Sequence, residues 1–337
     1  MHITEGIIVG KAALAYTGVG IALMGVGVSR MKSFARKRPE NRLLLGMGTA
    51  LVFFISLLPI PAFTGTCSHP CGTPFIGILL GPLIGTALAG ISLLFQAAFF
   101  AHGGFGTWGA NLLALGFCGC FFGWALFQLC RRMGLPIWAA GMAGGLIGDI
   151  MVYAASGMIL GTTLATAPNP QYSLGGYLLV IYAAYLPTQL PIALAEMLIT
   201  GLALHHAARQ RPEVLNALGI VTADVRDQFN HAMLVALVVT GSVFLLTRPL
   251  HAQPADEPSP AIARQSEGAP QAFAGMDEAV NEDLAAKAGR PPRDPFIDTE
   301  SMGDLWNLLL LGAGAVCGFV LGRGWHLLWA KPNRSAP

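Results

Sequence analysis

Apolar runs of about 20 residues, the length an α-helix needs to cross the hydrocarbon core, recur through most of the chain. Short polar or Gly/Pro-rich breaks separate them. The pattern predicts a helix over residues 3–28 and another over 43–58, joined by a polar, basic turn. Residues 59–73 read as a loop. The apolar stretch 74–130 is too long for one span and reads as short, Gly/Pro-broken helices over 75–87 and 89–101, followed by one over 108–129. Helices over 136–160 and 175–206 complete a seven-helix unit. The chain then changes character, with a polar link over 219–228 and a span over 229–246. A long polar, Pro- and acid-rich stretch over 248–302 has the composition of an exposed loop with little core of its own. A last span runs over 305–329, where Trp306, Trp325 and Trp329 suit an aromatic belt. No internal repeat stands out.

Composition sharpens this picture. Of 337 residues, 54% are hydrophobic and only 11% charged, against roughly 25% charged in an ordinary soluble domain. The 42 Gly and 22 Pro fit closely packed, interrupted membrane helices. The fold class expected is an all-α, polytopic membrane protein: a seven-helix bundle with two further transmembrane helices. Nothing suggests nucleic-acid binding. A net charge of +2 says little, but its placement orients the chain. Arg30, Lys32, Arg36, Lys37, Arg38 and Arg42 mark the first turn as cytoplasmic by the positive-inside rule, and Arg131, Arg132, Arg209 and Arg211 belong on the same side. The N-terminus then lies outside, and Lys331 and Arg334 keep the C-terminus inside. No basic start with a small-residue cleavage site is present, so the first helix is expected to be retained, and with it Met1 and His2.

The first two residues carry the most informative chemistry. They join a free α-amine, an amide nitrogen and an imidazole, which can close small chelate rings around cobalt, nickel, copper or zinc. His69 sits in Gly65-Thr66-Cys67-Ser68-His69-Pro70-Cys71-Gly72-Thr73-Pro74, too rich in Gly and Pro for a helix interior. Such a loop can fold inward and present His69 to the chelating terminus, since irregular backbone at membrane depth survives where it lines a cavity. His102 opens a Gly-rich segment on the same outer side and reads as a loop-positioning neighbour of the metal rather than a ligand. Asn111 can orient a ligating imidazole. Cys67 and Cys71 allow a local disulfide, an accessory ligand or simple packing. Cys118, Cys120, Cys130 and Cys317 read as packing residues. Intramembrane Asp149 and Glu196 invite a functional reading, with a structural hydrogen bond or helix contact leading. His205, His206, His231 and His326 fall near helix ends, and His251 lies in the outer loop. Binding needs a deprotonated amine and neutral imidazoles, so affinity is expected to fall below about pH 6. No catalytic constellation and no phosphate-binding loop appears, so any ATPase is a separate polypeptide. An intramembrane metalloenzyme using His2, His69 and His102, or a metal sensor, are the rival readings.

These motifs resemble the substrate-binding component of energy-coupling factor importers for cobalt and nickel, the CbiM/NikM family. The resemblance rests on Met1-His2-Ile3-x-Glu5-Gly6, Ser68-His69-Pro70-x-Gly72-Thr73, Ala101-His102-Gly103-Gly104 with Gly109-Ala110-Asn111, and Leu190-Pro191 through Ala195-Glu196 to Arg211-Pro212-Glu213. It covers residues 1–215, and its motif forms look more like the cobalt branch than the nickel branch. It implies a metal site of Met1 (terminal amine), His2 (backbone nitrogen and imidazole) and His69, with cobalt(II) as cargo for cobalamin biosynthesis and nickel(II) as the alternative. It also implies a CbiQ-like transmembrane coupling protein, CbiO-like cytoplasmic ATPase subunits and a bacterial cytoplasmic (inner) membrane. Residues 216–337 look like the two-helix CbiN subunit, here fused, whose loop at about 248–302 would help load metal. Cys67 and Cys71 depart from the family pattern beside the His.

Overall fold

Among the described residues, seven helices form the bundle: α1 (Gly10–Lys37), α2 (Glu40–Ile55), α3 (Thr73–Leu80), α4 (Pro82–Phe99), α5 (Trp108–Arg132), α6 (Ile137–Ala165) and α7 (Leu174–Gln210). A short α8 (Pro212–Ala217) follows. This is a computed structural model, and it describes residues 2–38, 40–58, 60–61, 66–100, 102–218, 220, 274–293, 312 and 316. The spans expected at 229–246 and 305–329 lie outside the described residues, as do Cys317, His231, His251 and His326. Among the described residues, α1, α4, α5, α6 and α7 are long and apolar enough to cross a membrane. Their outward faces stay apolar, with Leu14 of α1 73% exposed. A helix that is apolar all round and left uncovered fits lipid rather than water. The chain is a multi-pass, all-α membrane protein.

Two boundaries differ from expectation for physical reasons. α1 begins at Gly10 rather than at residue 3, because residues 2–9 form an irregular hook that buries Ile3, Ile7 and Ile8 in the main core. Gly6 and Gly10 both have positive φ, a conformation glycine adopts without Cβ strain, and they turn the hook back on the bundle. α1 then continues to Lys37, so the basic residues Arg36 and Lys37 occupy its last turn, where cations suit the helix dipole. Arg131 and Arg132 end α5, and Arg209 ends α7. These residues gather at one end of the bundle, and the hook lies at the other.

The second difference is the break between α3 and α4, which falls at Gly81-Pro82 rather than near residue 88. Gly81 has φ +87° and Pro82 occupies the first turn of α4, where its missing N–H costs nothing. α3 has 8 residues, about 12 Å of rise, too little to span. The preceding loop supplies the rest of that pass. It descends to the middle of the bundle, where a Cβ on Gly119 would strike Thr73 and one on Gly148 would meet Pro74 at 2.6 Å. α3 continues toward the basic end, packing so tightly on α5 that a Cβ on Gly77 would lie 2.6 Å from the Cys120 backbone. α5 carries a π-helical stretch at Leu112–Cys118 that the sequence pattern did not show.

A small ladder caps the hook end. β1 (Ile60–Pro61) pairs antiparallel with β2 (Thr66–Ser68), which pairs in parallel with β3 (Ala274–Gly275). The segment 274–293, expected to be exposed loop, folds onto the bundle instead and buries Met276, Leu284, Ala285 and Ala288 in its main core.

Candidate metal centre

Three imidazoles converge at the hook end. His2, His69 and His102 can each offer a ring nitrogen such that all lie within 4.8 Å of one another, and no other described group of three or more His, Cys, Asp or Glu does so. His2 and His102 have ring centroids 4.2 Å apart, and His2 and His69 5.1 Å. His69 Nε2 stands 3.4 Å from His102 Nε2. Nitrogens sharing one divalent ion at a metal–nitrogen distance of about 2.0–2.1 Å need only a small inward adjustment from this arrangement.

Each imidazole is delivered by a different device. The hook bearing His2 is held by backbone clamps on both sides of Ile3. The Ile3 N–H donates to Asn111 Oδ1 (2.8 Å), and the Ile3 carbonyl accepts from Asn111 Nδ2 (3.0 Å) and Thr107 Oγ1 (2.8 Å). Asn111 thus fixes the chain beside His2 rather than orienting an imidazole. Glu5, which the sequence marked only as part of the first motif and without a role, accepts a hydrogen bond from the Gly106 N–H at 2.7 Å. A Cβ at Gly104 or Gly106 would collide with Glu5, so the Gly-rich run after His102 exists to let the hook lie directly on it. His69 is positioned by the re-entrant loop. Its carbonyl accepts from the Tyr153 hydroxyl at 3.0 Å. The next residues are anchored by Glu196 of α7, whose carboxylate accepts from the Cys71 N–H (3.0 Å) and the Gly72 N–H (3.1 Å). Glu196 therefore makes structural hydrogen bonds, as expected, and does so as a clamp on the loop rather than as a helix–helix contact.

The electrostatics favour a neutral, ligand-ready cluster. His2 is 1% and His69 5% exposed. Burial, above all, pushes both imidazoles well below their ordinary range, and for His2 the neighbouring His102 adds to it. His69 Nδ1 lies 3.1 Å from the Pro70 carbonyl, which makes Nδ1 the protonated nitrogen and leaves Nε2 with its lone pair facing the cluster. Among the described residues, neither ring nitrogen of His2 has a hydrogen-bond partner. A fully buried imidazole left so is costly unless something else occupies it. Met1 and the Cys67 side chain lie outside what the structure describes. Cys71 is a buried free thiol that sits toward Asp149 rather than among the imidazoles. Asp149 is fully buried in α6 beside that thiol. His205 is buried in α7 near the basic end, far along the helix from the cluster.

Comparison with known proteins places this geometry. The family CbiM, described as cobalt uptake substrate-specific transmembrane region, matches residues 2–214. The cobalt transport protein CbiM of Geobacter sulfurreducens is 38% identical over 98% of this chain and 90% of its own length. That of Sorangium cellulosum is 33% identical over 66% of this chain and 97% of its own. A solved structure described as a truncated transition metal transporter shares the fold, with a TM-score of 0.53 at 23% identity, over 62% of this chain and 99% of that one.

Proposed function

This chain belongs to the CbiM family, a cobalt transport component set in the membrane by several helices and working with other subunits, and we propose that it captures cobalt(II) with Met1, His2 and His69 for an ATP-driven importer of the energy-coupling type. The amine of Met1 is one peptide from His2 in the sequence, close enough along the chain to close a chelate ring on the same ion. The ion would be wrapped by that amine and by the backbone and ring nitrogens of His2, with His69 Nε2 completing the shell. The observation that carries this reading is the buried His2 ring, both nitrogens without a hydrogen-bond partner among the described residues, stacked with its centroid 5.1 Å from that of His69.

The hook end would face outside and the basic end the cytoplasm, in accord with the positive-inside rule, in a bacterial inner membrane. A CbiQ-like coupling protein and CbiO-like ATPases would act from the basic side, and the cobalt would serve cobalamin biosynthesis. Residues 216–337 would be a CbiN-like unit fused to the first 215. Support comes from segment 274–293, which grips the hook directly: the Arg293 N–H donates to the Glu5 carbonyl (2.9 Å) and Thr4 Oγ1 donates to Glu282 Oε1 (2.9 Å).

Inserting Ala between Met1 and His2 tests the site. It moves the imidazole one position along and changes the chelate ring, so metal binding and cobalt uptake should be lost while the membrane fold is retained. Unchanged uptake overturns the proposal. The all-nitrogen donor set suits nickel as well as cobalt, so competition between labelled cobalt and nickel at equal free concentration decides the cargo. Preference for nickel rejects cobalt.

A further inference from the structure

His102 stands in the imidazole cluster without a part in the capture set of Met1, His2 and His69, and its ring is turned differently from the other two. The His2 and His69 rings are 29° apart, whereas His102 is inclined 69° to His2 and 63° to His69. Its centroid is also nearer to that of His2, at 4.2 Å against 5.1 Å for His69. All three can offer nitrogens within 4.8 Å of one another. The position of His102 is fixed from both sides. Its N–H donates to the Gln96 carbonyl in the last turn of α4 (3.3 Å), and Gln96 Nε2 in turn donates to Ser56 Oγ (2.6 Å). Gly103 follows with φ +80°, and a Cβ there would lie 3.6 Å from the His2 Cβ. The turn after His102 therefore lies directly against the hook, in a conformation that glycine adopts without strain.

The chemistry of the chain's beginning gives these angles a meaning. An amine, the next amide nitrogen and the imidazole of the same residue close fused chelate rings on one ion. The amide is planar, so the His2 ring lies close to the plane that these donors define. A ring that reaches the ion along the axis through that plane must stand steeply to the His2 ring. His102 does so and His69 does not.

We propose that His102 is the axial ligand of the bound ion and that its nitrogen makes the site prefer cobalt(II) to nickel(II). This rests on the capture reading above and adds to it the basis of selection. The in-plane nitrogens alone form the square-planar set that nickel(II) and copper(II) favour. Low-spin nickel(II) binds axial ligands weakly, whereas cobalt(II) readily takes one. Raw affinity along the series runs against cobalt, so selection needs a contact that cobalt uses and nickel does not. In the metal-free protein His102 Nε2 lies 3.4 Å from His69 Nε2, and the ion takes the place of that contact. Each of these imidazoles then keeps its ring proton on the nitrogen turned away from the ion, so both stay neutral and no oxidation state changes.

Full-length protein in lipid nanodiscs, loaded with cobalt(II) chloride or nickel(II) chloride, tests the proposal by X-ray absorption at the metal K edge. A square-planar ion gives a distinct peak on the rising edge, which an axial ligand suppresses. The expected result is that peak with nickel and its absence with cobalt. In His102→Ala, cobalt should gain the peak. Competition titration of the same variant should show cobalt affinity weakened about tenfold or more and nickel affinity within about twofold of wild type. A ring that only supported the loops would cost both metals alike. The peak with cobalt in the wild type, or its absence with nickel, overturns the axial assignment while leaving the capture reading standing. So does a folded His102→Ala protein with an unchanged cobalt spectrum, wild-type cobalt affinity or an equal loss of both metals. Metal binding that survives an Ala inserted between Met1 and His2 overturns the capture reading and this one with it. Should His102→Ala fail to fold, the two wild-type spectra still decide.

Discussion

His2 and His69 owe their chemistry to burial, which penalises the imidazolium form and lowers both pKa values well below 6.5. In the unfolded chain these rings titrate near 6.5, so between the folded and unfolded values the unfolded chain binds more protons. Their contribution to stability is therefore present above about pH 6.5 and lost as pH falls beneath it. Thermal unfolding of the metal-free protein should shift to lower temperature as the medium is acidified past that point, and a flat profile would contradict the assignment. The same shift revises the imidazole part of the expectation, drawn from the amine and imidazole donors, that metal affinity falls below about pH 6. Both rings stay neutral there, so proton competition at the imidazoles sets in lower, and cobalt affinity plotted against pH should show no added steepening at 6.5. Asn111 acts at one remove. In Asn111→Ala the buried N–H of Ile3 loses its partner at about 1–3 kcal/mol while its carbonyl keeps the Thr107 hydroxyl, and cobalt affinity by competition titration should fall about ten- to hundredfold.

At the scale of elements, the pass made by the re-entrant loop and α3 sets the depth of His69. An 8-residue helix is too short to leave a clear period in the apolar pattern, so sequence reading placed the break one turn and more too late. The signal was nonetheless present in Gly81-Pro82, a glycine able to take positive φ followed by proline in the next first turn. The number of helices was legible because length and hydropathy are local properties, whereas the exact fit of α3 into α5 was not. That fit depends on Gly77 meeting backbone that cannot yield. Gly77→Val should lower stability by about 1–3 kcal/mol through overpacking, read as a lower unfolding temperature in detergent. Glu196→Ala should behave differently: the helices remain, but the unanchored loop lets His69 drift, and metal affinity falls more than stability does.

For the whole molecule, the decisive feature is that the chain closes on its own beginning. Segment 274–293 reaches the hook through Glu282 and Arg293, α7 through Asn281, which accepts from the Tyr185 hydroxyl at 2.7 Å, and the α6–α7 connection through the Ala288 carbonyl, bonded by the Asn169 N–H at 3.1 Å. It thereby ties three separate parts of the hook end together. If the hook must move for the ion to leave, weakening this grip should speed release. The double substitution Asn281→Ala with Glu282→Ala should accelerate cobalt dissociation severalfold in a stopped-flow chelator assay, with the bundle still folded. An unchanged rate would mean that the segment only covers the hook.

The sequence by itself determined that this is a helical membrane protein with its basic residues gathered on one side, and it singled out His2 and His69 as metal-ligand candidates. Those properties follow from residue type, run length and short-range order, which need no folded structure to read. Only the tertiary structure decided that residues 2–9 form a hook rather than the start of a helix, that His102 comes as close as His69, and that Asp149 is buried beside Cys71. It alone brought residues 274–293 onto the hook. Each of these depends on groups meeting across large sequence separations, such as the 108 residues between Ile3 and Asn111. Packing of the surrounding helices, rather than any local preference, selects which of them meet.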